Sequence, residues 1–354
     1  MPALDFQTLL RQERNRVRHE MDQTNNKTHS GSPRAEESEE GHQHHDDDKE
    51  DTTCFNFAAR MDALLDSVMA SHVQSAAPED GDMDIMATAA AKVVEESEQV
   101  RHCLRARLNP EYLTRATTEC DLSKHAIRGP PDGVFYVPEY ISKEMEQEIM
   151  EVAHSMPVNQ WVKLRGRRLQ CFGGKPTENV RSFQSEALPP WIGQVCRTLM
   201  LAGVFDEEII PNHVLLNEYE PGQGIMAHAD GPFYHSRVAI ISLGGPAIFR
   251  FKRRLIAEEI SADSQESVPA GTVVLEPRSL IVFEGEAYHD YLHEIAAVEE
   301  EVVGGTEGTT PVLNLASLEG RINVGDRLKR ALRLSLTCRR VKEEGEVKDQ
   351  DDAN

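Results

Sequence analysis

From residue 131 to residue 341, short apolar runs alternate with turn residues, a pattern typical of antiparallel strands. Turns such as Pro221-Gly222 and Gly244-Gly245-Pro246 separate the runs. The predicted strands span 134–137, 213–219, 237–243, 247–252, 272–275, 278–283 and 332–341. We also predict two helices, one after the N-cap Ser142 and one from Pro189-Pro190 to Gly203. Many short strands beside a pair of helices predict a mainly β (α+β) fold, a double-stranded β-helix (jelly roll) with flanking helices.

The sequence before residue 131 predicts a different organisation. Residues 1–53 hold few apolar and many charged side chains, which predicts a largely disordered extension. The His- and Asp-rich run at 42–48 lies inside this extension, and we interpret it as solvated low-complexity sequence because a flexible cluster has no fixed ligand geometry. Residues 54–130 contain two amphipathic helical patterns without recognisable chemistry. We expect these helices to pack on each other or on the domain that follows, and residues 342–354 to form an acidic tail.

Composition and charge narrow the functional classes. The chain has 38 basic and 60 acidic residues, a net charge of −22, which argues against nucleic-acid binding over the whole surface but leaves room for a local basic patch. No segment is apolar enough to span a bilayer, and the N-terminus lacks the apolar core of a signal peptide. The six cysteines show no CxxC pairing, which favours reduced thiols. We expect an intracellular protein, in the cytoplasm, the nucleus or both, that is monomeric and has no membrane contact.

The first candidate chemistry is a pair of metal-binding side chains. His228 and Asp230 are two residues apart, so on a strand both would point to one face. An imidazole and a carboxylate are two of the three ligands of a facial triad that holds Fe(II). Candidates for the third ligand are His235, which we expect in the turn after the first ligand strand, and the later His289 and His293. Spacing alone does not choose between His289 and His293.

The last predicted strand suggests a site for a small dicarboxylate. Its sequence, Arg333-Leu-Ser335-Leu-Thr337-Cys-Arg339, places two arginines and two hydroxyls on one face and apolar residues on the other. An ordinary solvent-facing polar side would produce the same alternation. However, guanidinium groups bind carboxylates in a bidentate manner, so paired arginines with hydroxyls suit a dicarboxylate.

Four motifs together resemble the AlkB family of Fe(II)/2-oxoglutarate dioxygenases. They are Asn217-x-Tyr219-x-Pro221-Gly222, His228-x-Asp230, Leu-His293-x-Ile295 and Arg333-x-Ser335-x-Thr337-x-Arg339. Further stretches, among them Gly166-Arg-Arg-Leu-Gln170 and Leu275-Glu-Pro-Arg-Ser-Leu280, are similar to one branch of that family. The resemblance covers residues from about 132 to 341 and predicts a dioxygenase domain at 131–341.

The resemblance implies a cofactor, two cosubstrates and a role for each motif residue. The implied Fe(II) ligands are His228, Asp230 and His293, with His289 as the nearby alternative. O2 and 2-oxoglutarate are the implied cosubstrates, with Arg333 at the distal carboxylate and Arg339 at the end nearer the metal. Residues that would hydrogen-bond to 2-oxoglutarate are Asn217, Tyr219, Ser335 and Thr337. The implied reaction couples decarboxylation of 2-oxoglutarate to hydroxylation of a substrate C–H bond, and a hydroxylated N-methyl group is lost as formaldehyde.

The substrate is inferred from a local cluster of basic residues. Members of the AlkB family mostly act on methylated bases, which must be single-stranded or flipped out of a duplex. Basic residues between Trp161 and Pro190 outnumber the two acidic ones, and they are Lys163, Arg165, Arg167, Arg168, Lys175 and Arg181. With the aromatic Trp161 and Phe172, this segment predicts a lid that binds single-stranded DNA or RNA. Ordinary surface charge with aromatic residues in the core is the alternative explanation.

Two other functions remain open from the sequence. Pro232 stands where several repair members of the family carry an acidic residue that reads the base, which counts against base repair. A protein N-methyl group is therefore the alternative substrate. An alternative of another class is a non-catalytic member that binds nucleic acid or a partner protein through the same fold. The intact set of metal and arginine motifs disfavours it.

Overall fold

The computed structural model describes residues 95–116, 120–176, 183–231, 233–255, 267–305 and 310–342. The predicted disordered extension, the first helical pattern after it and the acidic tail beyond residue 342 lie outside these residues. Within the described ranges, no helix is long and apolar enough to cross a membrane.

Antiparallel strands are the predominant regular elements of the described chain. They are β1 Val134–Val137, β2 Val162–Lys163, β3 Arg168–Phe172, β4 Gly174–Pro176, β5 Phe183–Ser185, β6 His213–Tyr219, β7 Ile225–His228, β8 Tyr234–Gly244, β9 Ala247–Arg254, β10 Ser267–Leu275, β11 Leu280–Glu284, β12 Tyr291–Ile295, β13 Glu300–Val302, β14 Arg327–Lys329 and β15 Arg333–Val341. In the described residues a seven-stranded sheet has the order β1-β11-β8-β15-β6-β3-β2, and a four-stranded sheet has the order β10-β9-β12-β7. Strands distant in sequence are neighbours in both sheets, which confirms the predicted jelly roll.

The predicted strands are all present, although some of their ends differ. β1 and β6 have the predicted bounds. β8 begins at Tyr234, because β15 extends far enough for Val341 to pair with Tyr234. His235 consequently lies on a strand, and the expectation of a turn there is wrong. Arg278 has a positive φ of 65° and belongs to the turn before β11, not to the strand.

Helices flank the sheets, and two of them begin where the caps predict. Besides residues 95–105, the described α-helices are α1 Pro110–Ala116, α2 Lys143–His154, α3 Pro190–Leu201 and α4 Glu286–His289. The hydroxyl of Ser142 accepts a hydrogen bond from the backbone N–H of Met145, which confirms Ser142 as the N-cap of α2. α3 has Pro190 in its first turn, and Gly203 follows its C-cap with φ of 73°.

The second helical pattern before residue 131 packs on the domain. Residues 95–105 are helical, and Val100 and Cys103 are buried. Just after this helix, the backbone N–H of Leu108 donates to Gln194 Oε1, and the Gln194 amide donates back to the Leu108 carbonyl. Gln194 lies on α3, so this segment contacts the following domain, as one of the two expectations has it.

Candidate active site

A single cavity is lined by side chains from both sheets. Every residue predicted to bind metal or cosubstrate lines it, namely Asn217, Tyr219, His228, Asp230, His293, Arg333, Ser335, Thr337 and Arg339. The other lining residues are Arg167, Leu215, Ile225, Ile240, Phe249 and Ile295. Apart from Arg167, this remainder is apolar, as expected of a site that excludes water around a few polar groups.

The predicted metal ligands gather where β7 and β12 pair. His228 ends β7 and lies opposite His293 of β12, with ring centroids 4.3 Å apart. Asp230 Oδ2 is 3.8 Å from His293 Nε2. Because β7 ends at His228, the turn after the strand places Asp230, and the expected shared strand face does not apply. His289 is exposed at the end of α4 and does not line the cavity, so the structure separates it from the cluster.

The hydrogen bonding of His228 leaves one ring nitrogen for a metal. Its Nδ1 lies 2.9 Å from the Met226 carbonyl oxygen. A carbonyl only accepts, so Nδ1 carries the proton and Nε2 keeps its lone pair. A hydrogen bond of this kind from the far nitrogen is the usual way that a metal-binding imidazole is oriented.

One carboxylate oxygen of Asp230 accepts a hydrogen bond from Arg339, and the other accepts none from the described residues. Nη1 of Arg339 donates to Oδ1 of Asp230, and both side chains are buried. Oδ2 is also buried, and it has no hydrogen-bond partner among the described residues. The phenol of Tyr288 donates to the Gly231 carbonyl over 3.0 Å and so holds the turn that carries Asp230. A buried carboxylate oxygen without a partner is costly, and a cation next to it removes that cost.

These donors fit Fe(II), although they do not yet form a closed site. Two imidazoles and one carboxylate are the donor set of a facial triad. In the part of the chain that the structure describes, no three His, Cys, Asp or Glu side chains stand in finished metal-binding geometry. The three candidate ligands are nevertheless neighbours in one cavity.

Arg333 forms the opposite, carboxylate-binding end of the cavity. It is 1% exposed, its Nη2 donates to Ser242 Oγ over 3.0 Å, and its guanidinium carbon is 5.6 Å from the Tyr219 ring centre. Nε and Nη1 are buried without a hydrogen-bond partner among the described residues. Burial lowers the pKa of Arg333 to about 10, which leaves the group charged at neutral pH. A buried, charged and partly unpaired guanidinium fits a carboxylate ligand.

The alternation predicted for β15 is confirmed, and it identifies a further residue. The polar residues of β15 line the cavity, whereas Leu334, Leu336 and Cys338 are buried. Ser242, which orients Arg333, lies opposite Ser335 in the register of β8 and β15. Sequence reasoning missed Ser242, because an isolated serine within an apolar strand carries no signal unless its cross-strand neighbour is known.

Arg339 also contacts a series of side chains formed by Tyr234, His213 and Cys171. The guanidinium carbon of Arg339 is 4.2 Å from the Tyr234 ring centre, and the Tyr234 hydroxyl lies 3.3 Å from His213 Nδ1. His213 Nε2 is 3.1 Å from Cys171 Sγ. Burial, reinforced by the nearby charge of Arg339, holds the pKa of His213 well below its usual value, so this imidazole is neutral. Neither His213 nor Tyr234 was singled out from the sequence.

The two aromatic residues of the predicted lid are packed against other side chains of the protein. Trp161 is 7% exposed, and the guanidinium carbon of Arg168 lies 4.3 Å from the centre of the Trp161 ring. Phe172 is buried edge-on against Trp191, with ring centroids 5.6 Å apart. Both aromatic side chains are therefore engaged in packing, and a role for them in stacking on a base stays a prediction. Phe172 lies on β3, which pairs with β6 inside the larger sheet.

The basic residues of the predicted lid fall into two groups, one paired or buried and the other exposed. Arg168 Nε is paired with Glu218 at 2.5 Å, and Arg167 is 3% exposed inside the cavity. Neither matches the predicted free phosphate-binding surface. Lys163 and Arg165, at the β2–β3 turn, are exposed. The Lys175 side chain, Arg181 and Pro232 lie outside the described residues.

A family model and several known proteins match this chain. The model of the 2OG-Fe(II) oxygenase superfamily matches residues 136–339. A Danio rerio protein named "Probable RNA/DNA demethylase ALKBH6" is 36% identical over 222 residues, which are 62% of this chain and 91% of that protein. A Macaca fascicularis protein named "tRNA (carboxymethyluridine(34)-5-O)-methyltransferase ALKBH8" is 28% identical over 224 residues, covering 60% of this chain and 31% of that protein. Among solved structures, OsALKBH1 aligns with a TM-score of 0.38 and 16% identity, over 59% of this chain and 98% of that one.

Proposed function

We propose that this chain, which belongs to the AlkB family of 2OG-Fe(II) oxygenases, removes N-methyl groups from bases of single-stranded nucleic acid. As a member of that family it is an oxidoreductase that uses Fe(II), 2-oxoglutarate and O2. One observation carries the assignment of the site. The same cavity is lined by Asp230, which has a buried oxygen without a partner, and by Arg333, which has two such nitrogens.

Different residues around this cavity would bind the metal and 2-oxoglutarate. His228, Asp230 and His293 would hold the metal, and Arg339 fixes the orientation of Asp230. Arg333 would bind the distal carboxylate of 2-oxoglutarate, with its guanidinium oriented by Ser242. Further hydrogen bonds to the cosubstrate would come from Asn217, Tyr219, Ser335 and Thr337. When bound, Fe(II) with 2-oxoglutarate and O2 supplies the hydroxylation of a C–H bond. An N-methyl carbon that is hydroxylated leaves as formaldehyde.

A nucleic-acid substrate is supported by a relative and by the rim of the cavity. The Danio rerio relative is named a probable RNA/DNA demethylase. Exposed Lys163 and Arg165 lie on the same turn as Arg167, which reaches into the cavity. On a chain of net charge −22, such a rim provides local attraction for phosphates. A base must leave its stack to reach a buried metal, which favours single strands.

Two measurements on the full chain test this proposal. Supplied with Fe(II), ascorbate and 2-oxoglutarate, the protein should form succinate slowly without any further substrate, and Asp230→Ala should not. Formaldehyde should then be released from N-methylated single-stranded oligonucleotides but not from N-methylated peptides. Release from peptides alone would refute the nucleic-acid part. Equal succinate formation by the parent and Asp230→Ala would refute the assigned metal site.

A further inference from the structure

Arg167 is a buried charge to which the predicted roles assign no function inside the cavity. It stands directly before β3, at the end of the β2–β3 turn, and only 3% of its surface is exposed. Arg165, two residues earlier, is exposed to solvent. A buried guanidinium bears a large desolvation cost, so its contacts inside the cavity are what justify its position.

Arg167 determines which way round the Asn217 side chain stands. Nε of Arg167 donates to Oδ1 of Asn217 over 3.0 Å, and both side chains are buried. A guanidinium has donors only, so the amide atom that faces it must be the oxygen. The amide nitrogen of Asn217 therefore points away from Arg167. Its two N–H groups suit a ligand that offers acceptor oxygens.

The charges around Asn217 favour an anionic ligand. The cavity lining contains three guanidinium groups, those of Arg167, Arg333 and Arg339, and one carboxylate, that of Asp230. Arg339 contacts Asp230, whereas two buried nitrogens of Arg333 have no hydrogen-bond partner among the described residues, so the positive charge of Arg333 suits an anionic ligand. In a low-dielectric cavity a carboxylate gains both from this charge and from N–H groups aimed at it.

The backbone that carries Arg167 is held firmly in place. The N–H of Leu164 donates to the Arg167 carbonyl over 2.9 Å, which closes the turn. The N–H of Gly224 donates to the Gly166 carbonyl over 3.1 Å. A Cβ on Gly166 would lie 2.6 Å from the Gly224 oxygen, so glycine is needed for this close approach. The contact between Arg167 and Asn217 is thus built on a fixed main chain.

We propose that Arg167 is a positioning residue for 2-oxoglutarate, and that it acts by fixing Asn217 with its amide N–H groups toward the cosubstrate. The inference rests on the proposed function, from which the role of Asn217 toward 2-oxoglutarate comes. It adds that Arg167 contributes to 2-oxoglutarate binding only through Asn217, with no direct contact to the ligand.

A double-mutant cycle on ligand binding tests this claim. The full chain is loaded with Mn(II), which avoids turnover, and titrated with 2-oxoglutarate by calorimetry. Arg167→Met keeps much of the side-chain volume but removes the donor, and it should weaken 2-oxoglutarate binding about three- to tenfold, the worth of one hydrogen bond. In the Asn217→Ala background the same change should cause no further loss. Arg165→Ala, a neighbouring exposed arginine, is the control and should bind like the parent.

Arg167→Lys separates geometry from charge. Lysine keeps the positive charge but lacks Nε, so its affinity for 2-oxoglutarate should match that of Arg167→Met. Parent-like affinity of the Lys variant, or equal losses in both backgrounds, would overturn the inference. Melting temperatures and Mn(II) affinities show whether each variant is folded, and Arg167→Lys replaces Arg167→Met in the cycle if the latter unfolds. A parent protein that binds Mn(II) but not 2-oxoglutarate would instead refute the proposed function.

Discussion

His228 and His293 face each other in register across the antiparallel strands β7 and β12, with their ring centroids 4.3 Å apart. Phe249 stacks on the His293 ring at 5.1 Å and an interplanar angle of 17°, so packing as well as pairing holds this imidazole. Asp230 completes the group through Oδ2, 3.8 Å from His293 Nε2. The position of His293 in the sheet, rather than its spacing along the chain, makes it the third candidate ligand.

Replacement of His293 should abolish metal binding, whereas replacement of the nearby His289 should not. We expect His293→Ala to weaken Mn(II) or Fe(II) binding by more than about 100-fold, beyond what a change behind the ligands costs. His289→Ala is the matched control, because His289 is exposed and does not line the cavity. Metal titration by calorimetry measures both. Loss of binding in His289→Ala with retention in His293→Ala would reverse the assignment.

Arg333 should govern the requirement for 2-oxoglutarate. Arg333→Lys keeps the charge but loses the fork that binds a carboxylate, so we expect the KM for 2-oxoglutarate to rise by about 10- to 100-fold, the worth of one charged hydrogen bond. Metal affinity should not change, because among the described residues Arg333 donates a hydrogen bond to Ser242 and none to a predicted metal ligand. Arg321→Lys, at an exposed ion pair, is the control. An unaltered KM would transfer the distal-carboxylate role to Arg339.

The exposed cations at the β2–β3 turn should control the salt dependence of nucleic-acid binding. Each phosphate contact to a single strand contributes about 0.7 to the slope of log K against log salt, so Lys163→Ala with Arg165→Ala should reduce its magnitude by about 1.4. Succinate formation without substrate should persist, since the cavity is unchanged. A matched pair, Lys124→Ala with Arg128→Ala, replaces two exposed cations elsewhere in the sequence. If both pairs change the slope equally, the turn has no special role.

Buried, neutral His213 should make stability depend on pH. Its pKa in the folded protein is held below the usual 6.5, first by burial and then by Arg339. Below about pH 6.5 the unfolded chain takes up a proton that folded His213 refuses, so the free energy of unfolding falls as pH is lowered, by at most about 1.4 kcal/mol per pH unit. Above pH 6.5 this effect disappears.

The measurement is urea unfolding between pH 8 and pH 5, for the parent and for His213→Gln. The variant removes the titrating ring, so the difference in unfolding free energy between the two proteins should narrow as pH falls below 6.5. The remaining histidines titrate in both proteins and cancel. Parallel curves would mean that His213 takes up its proton equally in the folded and unfolded states.

Local patterns in the sequence were enough to predict several elements of the fold. Strand β6 has the predicted bounds, and the polar face of β15 lines the cavity as its alternation predicts. The Ser142 cap and the proline start of α3 are also present where they were expected. All of these features depend on neighbours within a few positions, and therefore the period of side chains and the chemistry of caps specify them.

Tertiary structure decided, where spacing along the chain did not, which of several similar residues line the cavity. Arg165 and Arg167 are both arginines of one turn, yet one is exposed and the other is bonded to Asn217 in the cavity. His289 and His293 follow the same strand, but only His293 has His228 opposite it. Ser242 becomes part of the site because Arg333 lies within 3.0 Å of it. Cross-strand register and burial depend on residues that are far apart in the sequence. The local pattern around a residue therefore does not determine its register or its burial.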